Sequence, residues 1–241
     1  MPQFNFDLSG VTESVVIIPA AGAGKRFGGA QPKQYQQIDD TKILDITLSI
    51  FINSLRVEKI LLIVSPEDKL FEQLDCILNE KIVLIDGGNE RQESVNNGLR
   101  YLYDNGLPEK TPVLIHDAVR PCLTEVDLNA LLDFYQRHKK ACFLAEPIAN
   151  SLKKIDQEKL VAASVDRENL VNALTPQLAA FIDLKNALSR VNKMGIVVTD
   201  DVAALTDCDI EVTAVFAQDL NPKITHQKDL ELVKQILNSR K

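Results

Sequence analysis

Five short segments of this chain are apolar on both faces: Ser14–Pro19, 60–64, 82–85, 113–115 and 142–145. They lack the in–out alternation of a half-exposed strand. They therefore predict strands covered by helices on both sides, as in a parallel sheet. Amphipathic stretches lie between them. Leu44, Leu48, Phe51 and Leu55 share one helical face, as do Val95, Leu99 and Leu102, and as do Leu128, Leu131, Leu132 and Tyr135. Thr124 followed by Asp127 resembles a helix-starting capping box. A βαβα alternation of this kind folds as an α/β doubly wound, mostly parallel sheet.

The pattern breaks after Pro147. Residues 151–165 alternate loosely around a polar turn at 156–158, which predicts a β-hairpin or arm projecting from the sheet. The sheet-and-helix pattern resumes at Leu178, and 229–239 reads as an amphipathic helix with Leu230, Val233, Ile236 and Leu237 inward. No repeat or low-complexity linker interrupts the 241 residues, so a single domain over 1–241 is expected.

Charge narrows the function. A net charge of −7 argues against a general nucleic-acid or membrane-surface binder, but not against a small anionic ligand held by a local positive cluster. Residues 1–10 carry no basic, apolar leader, and no apolar run is long enough to span a bilayer. The four cysteines (Cys76, Cys122, Cys142, Cys208) are dispersed and form no CxxC pair, which suits reduced thiols in a cytoplasmic protein. The three histidines are dispersed too, so no local zinc set is expected.

The first strand runs directly into Ala20-Ala21-Gly22-Ala23-Gly24-Lys25-Arg26-Phe27-Gly28-Gly29, and Pro32-Lys33-Gln34 follows. Ligands of open α/β sheets bind beyond the carboxyl ends of strands. Small residues there let backbone N–H groups approach phosphate oxygens. The P-loop pattern fails because Arg26 follows Gly24-Lys25 where a hydroxyl is needed for Mg²⁺. The dinucleotide pattern GxGxxG fails because Phe27 occupies its last glycine position. A plain glycine-rich turn with solvated charges is the remaining alternative.

This opening resembles the nucleotidyltransferase signature of the 2-C-methyl-D-erythritol 4-phosphate cytidylyltransferases. The resemblance extends over nearly the whole chain in six ordered motifs. After the opening come Gly87-Gly88-x-Glu90-Arg91-x-x-Ser94-Val95 and His116-Asp117-Ala118-Val119-Arg120-Pro121-Cys122. Asp166-Arg167 leads to Leu174-Thr175-Pro176-Gln177, then Thr199-Asp200, then Asn221-x-Lys223-Ile224-Thr225. Three positions depart from the family pattern. Val119 replaces a usual Ala, Asn150-Ser151 replaces Asp-Thr at the start of the arm, and Val171 stands where an aromatic residue is common.

The resemblance implies a Rossmann-like nucleotidyltransferase fold and transfer of CMP from CTP to a polyol phosphate, with release of pyrophosphate. A phosphate-ester oxygen attacks the α-phosphorus of CTP. That oxygen is already deprotonated, so positioning and charge neutralisation carry the catalysis. The resemblance assigns Arg26 and Lys33 to charge on the α-phosphate and leaving pyrophosphate, with Lys25 assisting. It gives the CTP cradle to Ala20, Ala21, Gly22, Ala23 and Gly24, and nucleotide contacts to Gly88 and Ser94. Asp117 and Arg120 face the acceptor, Asp117 also being the candidate ligand for Mg²⁺. Arg167 and Lys223 position the acceptor phosphate, and Ser151, Thr175 and Thr199 supply hydroxyls. Arg167 is expected from a partner subunit, through the arm at 150–168, which implies a homodimer with shared sites. Two alternatives stay open: a ribitol-5-phosphate cytidylyltransferase, which Val119 resembles, and a nucleotide-binding regulator without catalysis.

Overall fold

A computed structural model describes residues 7–22, 27 and 31–240. Its central strand is β1 (Ser14–Pro19), on which Val15, Val16, Ile17 and Ile18 are wholly buried. Successive side chains of a strand point to opposite faces. Val15 and Ile17 accordingly enter one core, and Val16 and Ile18 enter another.

Two short strands, β2 (Gln37–Ile38) and β3 (Thr41–Lys42), lead into α1 (Ile43–Asn53) and β4 (Val57–Val64). Next come β5 (Ile82–Asp86), α2 (Arg91–Asp104), β6 (Pro112–Ile115), α3 (Glu125–His138) and β7 (Ala141–Pro147). A hairpin of β8 (Leu152–Ile155) and β9 (Val161–Val165) precedes β10 (Val171–Ala180) and α4 (Phe181–Lys193). The chain continues through α5 (Asp201–Asp207), β11 (Val212–Phe216) and α6 (Asp229–Asn238).

The seven-stranded sheet has the order β11-β7-β10-β6-β1-β4-β5. Helices cover both faces: α2 and α4 supply Leu99, Leu102, Leu184 and Leu188 to one core. From the other side, α1 and α3 supply Leu44, Leu48, Phe51, Leu128, Leu131 and Leu132. Among the described residues, no helix is long and apolar enough to cross a membrane.

The sheet is mostly parallel, with one exception. β10 runs antiparallel to both β6 and β7. The chain leaves β7, folds the hairpin and returns beside β7, so no crossover helix is needed. The sheet pattern thus resumes at Val171 rather than at 178. The β10–β7 register shifts between Ala173 and Gln177, a span that contains Pro176, which has no N–H to give a ladder.

Two local expectations need amending. Leu55 is not on the buried face of α1: the helix ends at Asn53, Ser54 is extended, and Leu55 is 93% exposed. Only half of the capping box forms. Thr124 Oγ1 accepts from Asp127 N–H at 3.3 Å, while the Asp127 carboxylate accepts from Gln218 N–H at 2.8 Å. The hairpin does form at the expected place. Asp156 Oδ1 accepts from the N–H groups of Glu158 and Leu160, each at 2.9 Å, and closes its turn.

Candidate functional site

The chain order puts a crevice where a ligand is expected. From β1 the chain moves outward to β4 and β5, then crosses back to β6 on the other side of β1. Such a reversal leaves a gap beyond the carboxyl ends of β1 and β6. A cleft of about 300 Å³ lies there, at the lower end of the usual range for small-molecule sites. Its walls include Ala20, Ala21 and Gly22 after β1, Gly88, Arg91 and Ser94 after β5, and Asp117 after β6. Lys33, Lys223 and Thr225 close it.

The nucleotide-side wall is built from closely approaching backbone. A Cβ at Gly87 would stand 2.5 Å from Ala21 Cβ and 3.1 Å from Ser94 Oγ. A Cβ at Gly88 would stand 2.4 Å from Glu93 Cβ. Ser94 is buried, and its Oγ accepts from Gly88 N–H at 3.1 Å. Gln34, also buried, donates from Nε2 to the carbonyls of Ala20 at 2.7 Å and Gly22 at 3.2 Å. Gly87→Ala must push the two loops apart. The expected result is a loss of about 1–3 kcal/mol in unfolding free energy and a raised KM for the nucleotide. Denaturant unfolding and initial rates check both.

The opposite wall centres on Asp117. Arg91 Nε reaches Oδ1 at 3.3 Å, while Lys223 Nζ at 2.8 Å and Arg120 Nε at 3.4 Å reach Oδ2. Burial alone would raise this carboxyl. The charges of Arg91, Lys223 and Arg120 outweigh it and hold the group well below the ordinary aspartate range. Arg91 also forks onto Asp201, with NH2 at 2.7 Å from Oδ2 and NH1 at 3.3 Å from Oδ1. Arg120 NH1 donates to the Asn221 carbonyl at 2.7 Å. Lys33 Nζ donates to the Ile224 carbonyl at 3.0 Å, which ties the loop before β2 to the segment carrying Lys223. Arg91, Arg120, Lys33 and Lys223 thus converge on one wall of the cleft, a local cluster of cations on a chain of net charge −7.

Beneath Asp117 lies a chain of hydrogen bonds whose directions are fixed. Asp117 N–H donates to Thr175 Oγ1 at 3.1 Å. Thr175 Oγ1 lies 3.0 Å from His116 Nδ1, and His116 Nε2 lies 3.2 Å from the Arg120 carbonyl. A carbonyl only accepts, so Nε2 carries the proton and the Thr175 hydroxyl donates to Nδ1. Burial lowers the His116 pKa to about 4, against an ordinary 6.5. Between those values the unfolded chain binds a proton that the folded protein refuses. This residue's contribution to stability is therefore whole above pH 6.5 and shrinks as pH falls towards 4. At pH 5.5 the His116 ring is expected neutral and protonated on Nε2 in nitrogen-15 NMR; a charged ring at that pH would contradict it.

The structure therefore brings Ala20, Ala21, Gly22, Lys33, Gly88, Ser94, Asp117 and Lys223 around one space. Arg120 and Thr175 lie behind Asp117 and support it. Ser151, Arg167 and Thr199 are exposed and do not line this cleft. Arg167 instead donates from NH1 to the Ala149 carbonyl at the base of the arm. Ala23, Gly24, Lys25 and Arg26 fall outside the described residues. Arg91, Asp201, His116 and Gln34 belong to the site's framework, although reading along the chain assigns none of them a role. Only Arg91, His116 and Gln34 sat inside recognised motifs.

Among the described residues, no group of three or more His, Cys, Asp or Glu side chains is placed to hold a metal. Asp117, the one candidate ligand, already faces three cations, which fits a protein-made metal site poorly.

Comparison with known proteins gives a consistent picture. The family model described as 2-C-methyl-D-erythritol 4-phosphate cytidylyltransferase matches residues 14–239. The protein of that name from Wigglesworthia glossinidia brevipalpis is 37% identical over 229 residues, 95% of this chain and 97% of its own. That from Klebsiella pneumoniae subsp. pneumoniae is 36% identical over 217 residues, 90% of each chain. A solved 4-diphosphocytidyl-2C-methyl-D-erythritol synthase covers 93% of this chain and 99% of its own, with TM-score 0.80 and 29% identity. The Francisella tularensis cytidylyltransferase covers the same shares with TM-score 0.78 and 31% identity.

Proposed function

The chain belongs to the 2-C-methyl-D-erythritol 4-phosphate cytidylyltransferase family, and from that membership and the cleft we infer which of its residues perform the reaction. It is a cytidylyltransferase of isoprenoid biosynthesis, joining CMP from CTP to 2-C-methyl-D-erythritol 4-phosphate and releasing pyrophosphate. One observation carries the assignment of roles: the small-residue loops after β1 and β5 and the cation cluster around Asp117 face the same cleft.

In this reading the nucleotide lies along Ala20–Gly22, Gly88 and Ser94, where small or absent side chains let backbone approach it. Ala23, Gly24 and Lys25, outside the described residues, are assigned to the nucleotide by the family motif. Lys33 and Arg26 neutralise charge on the α-phosphate and the departing pyrophosphate. Lys223, with Asp117 and Arg120 behind it, receives the acceptor phosphate. Two polyanions are held end to end, and the nucleophilic oxygen needs no base. The neutral, buried His116 is then a support for Asp117 and not a proton carrier. Mg²⁺, when bound, would neutralise triphosphate charge; the crowding of Asp117 favours its arrival on the nucleotide itself. The thiols fit a reducing, cytoplasmic setting. Burial raises Cys142 to about 12 and Cys122 to about 11, so both are poor nucleophiles.

We place the arm in a homodimer. Its apolar side chains Ile155, Leu160 and Val161 are more than half exposed, an unusual cost for a lone hairpin. Arg167 and Ser151, at its base, do not reach their own cleft and are available to a neighbour's; Thr199 stands on the exposed turn before α5. Replacing 152–165 with a short Gly-Ser turn is expected to give a monomer with activity lowered at least a hundredfold. Sedimentation and rate measurements check it, and a fully active monomer would refute shared sites.

The test of function is pyrophosphate release from CTP with each of two acceptors. Release with 2-C-methyl-D-erythritol 4-phosphate and not with ribitol 5-phosphate is expected. The reverse preference would assign the cleft to the other acceptor, and release with neither would remove the activity.

A further inference from the structure

Arg91 sits at the first position of α2 on the cleft rim, yet three of its five N–H groups are spent on protein carboxylates. Two go to Asp201 as a fork and one, from Nε, goes to Asp117. Asp201 is 1% exposed and is itself fixed. Its N–H donates to Gln177 Oε1 at 2.9 Å, and Gln177 Nε2 donates to Asp200 Oδ2 at 3.1 Å. Gln177 lies on β10, the strand that also carries Thr175 beneath Asp117.

The consequence falls on the rotation of one carboxylate. A free carboxylate turns readily about its last side-chain torsion. Here Arg91 holds Oδ1 of Asp117, so Oδ2 is left to face Lys223 at 2.8 Å. We propose that Asp201, acting through Arg91, is a positioning residue for the acceptor half of the reaction. The clamp sets the Asp117 carboxylate, and Asp117 sets the Lys223 ammonium. This rests on the reading of Lys223 and Asp117 as acceptor-side groups. The nucleotide wall depends on other contacts, namely Gln34 with the loop after β1 and Ser94 with Gly88.

Steady-state kinetics of the full-length protein, with CTP and 2-C-methyl-D-erythritol 4-phosphate varied independently, tests the clamp. Asp201→Asn is expected to raise the acceptor KM tenfold or more and leave the CTP KM within twofold. Arg91→Lys keeps the charge but loses the fork, and is expected to do the same. The double variant Arg91→Gln/Asp201→Asn should be no worse than Arg91→Gln alone, because residues acting as one unit do not lose independently. If Asp201→Asn fails to fold, Arg91→Lys decides, since Arg91 is only partly buried. Both KM values rising together, losses that multiply in the double variant, or a lowered melting temperature with unchanged constants would overturn the proposal. Wild type that turns over neither acceptor would instead overturn the activity itself.

Discussion

Lys33→Met should lower turnover by roughly a hundred- to a thousandfold with the fold intact. Lys33 stands in the cleft wall on the short helical turn Lys33–Tyr35, and its ammonium is 3.0 Å from the Ile224 carbonyl. The charge that builds on the α-phosphate and on pyrophosphate is greatest in the transition state. A cation aimed at it therefore acts on kcat more than on KM. Methionine keeps most of the aliphatic stem, so far-ultraviolet circular dichroism and the melting temperature should be near those of wild type. A Lys33→Met enzyme with near-normal kcat would remove this residue from the chemistry.

Asp117→Ala has the second large effect, on stability as well as rate. It leaves Arg91, Arg120 and Lys223 without their shared counter-ion. Arg120 is the most exposed to this loss. Its side chain is 10% exposed, burial already lowers its pKa, and Asp117 is its one carboxylate ion-pair partner among the described residues. Removing one member of a buried charge cluster costs about 3–5 kcal/mol, or roughly 6–20 °C in melting temperature for a chain of this size. Asp117 has a lowered pKa, so its contribution is present above the ordinary value of 3.8 and is lost as pH falls through the lower folded value. The gap between variant and wild type should close in acid. Phosphate or pyrophosphate should also narrow it, by replacing the lost negative charge. A variant as stable as wild type at pH 7 would contradict the central place of Asp117.

Physical reasons separate what could be read along the chain from what could not. β1 is legible because both of its faces are buried and every residue from Val15 to Ile18 shows it. The face Leu44, Leu48, Phe51 is legible because one side of α1 is buried and shows a helical period, but periodicity alone extends it one step too far, to Leu55. β10 is obscured by Asn172 and Pro176, residue types that strands disfavour; its antiparallel course follows from the arm before it, a matter of topology and not of propensity. Within the site, Lys33, Asp117 and Lys223 stand in short motifs and were legible as candidates. The Arg91–Asp201 fork was not, because its partners are 110 residues apart and meet only after β10 and α5 have packed. A signal for it existed in Thr199-Asp200-Asp201, where Asp200 caps a helix and leaves the next carboxylate for another task. Thr175 shows the opposite difficulty. Its motif suggests a hydroxyl for substrate, whereas its place in the fold is between Asp117 and His116.

On this reading the small-residue loops and the cation cluster grip one continuous anionic ligand. A crystal structure with the cytidine diphosphate product bound tests it most directly. Cytosine is expected against Ala20–Gly22 and Gly88, with diphosphate oxygens within about 3.2 Å of the ammonium groups of Lys33 and Lys223. Product seated elsewhere, for instance in the groove lined by Arg100, Tyr103 and Lys185, with those two ammonium groups still on Ile224 and Asp117, would contradict it.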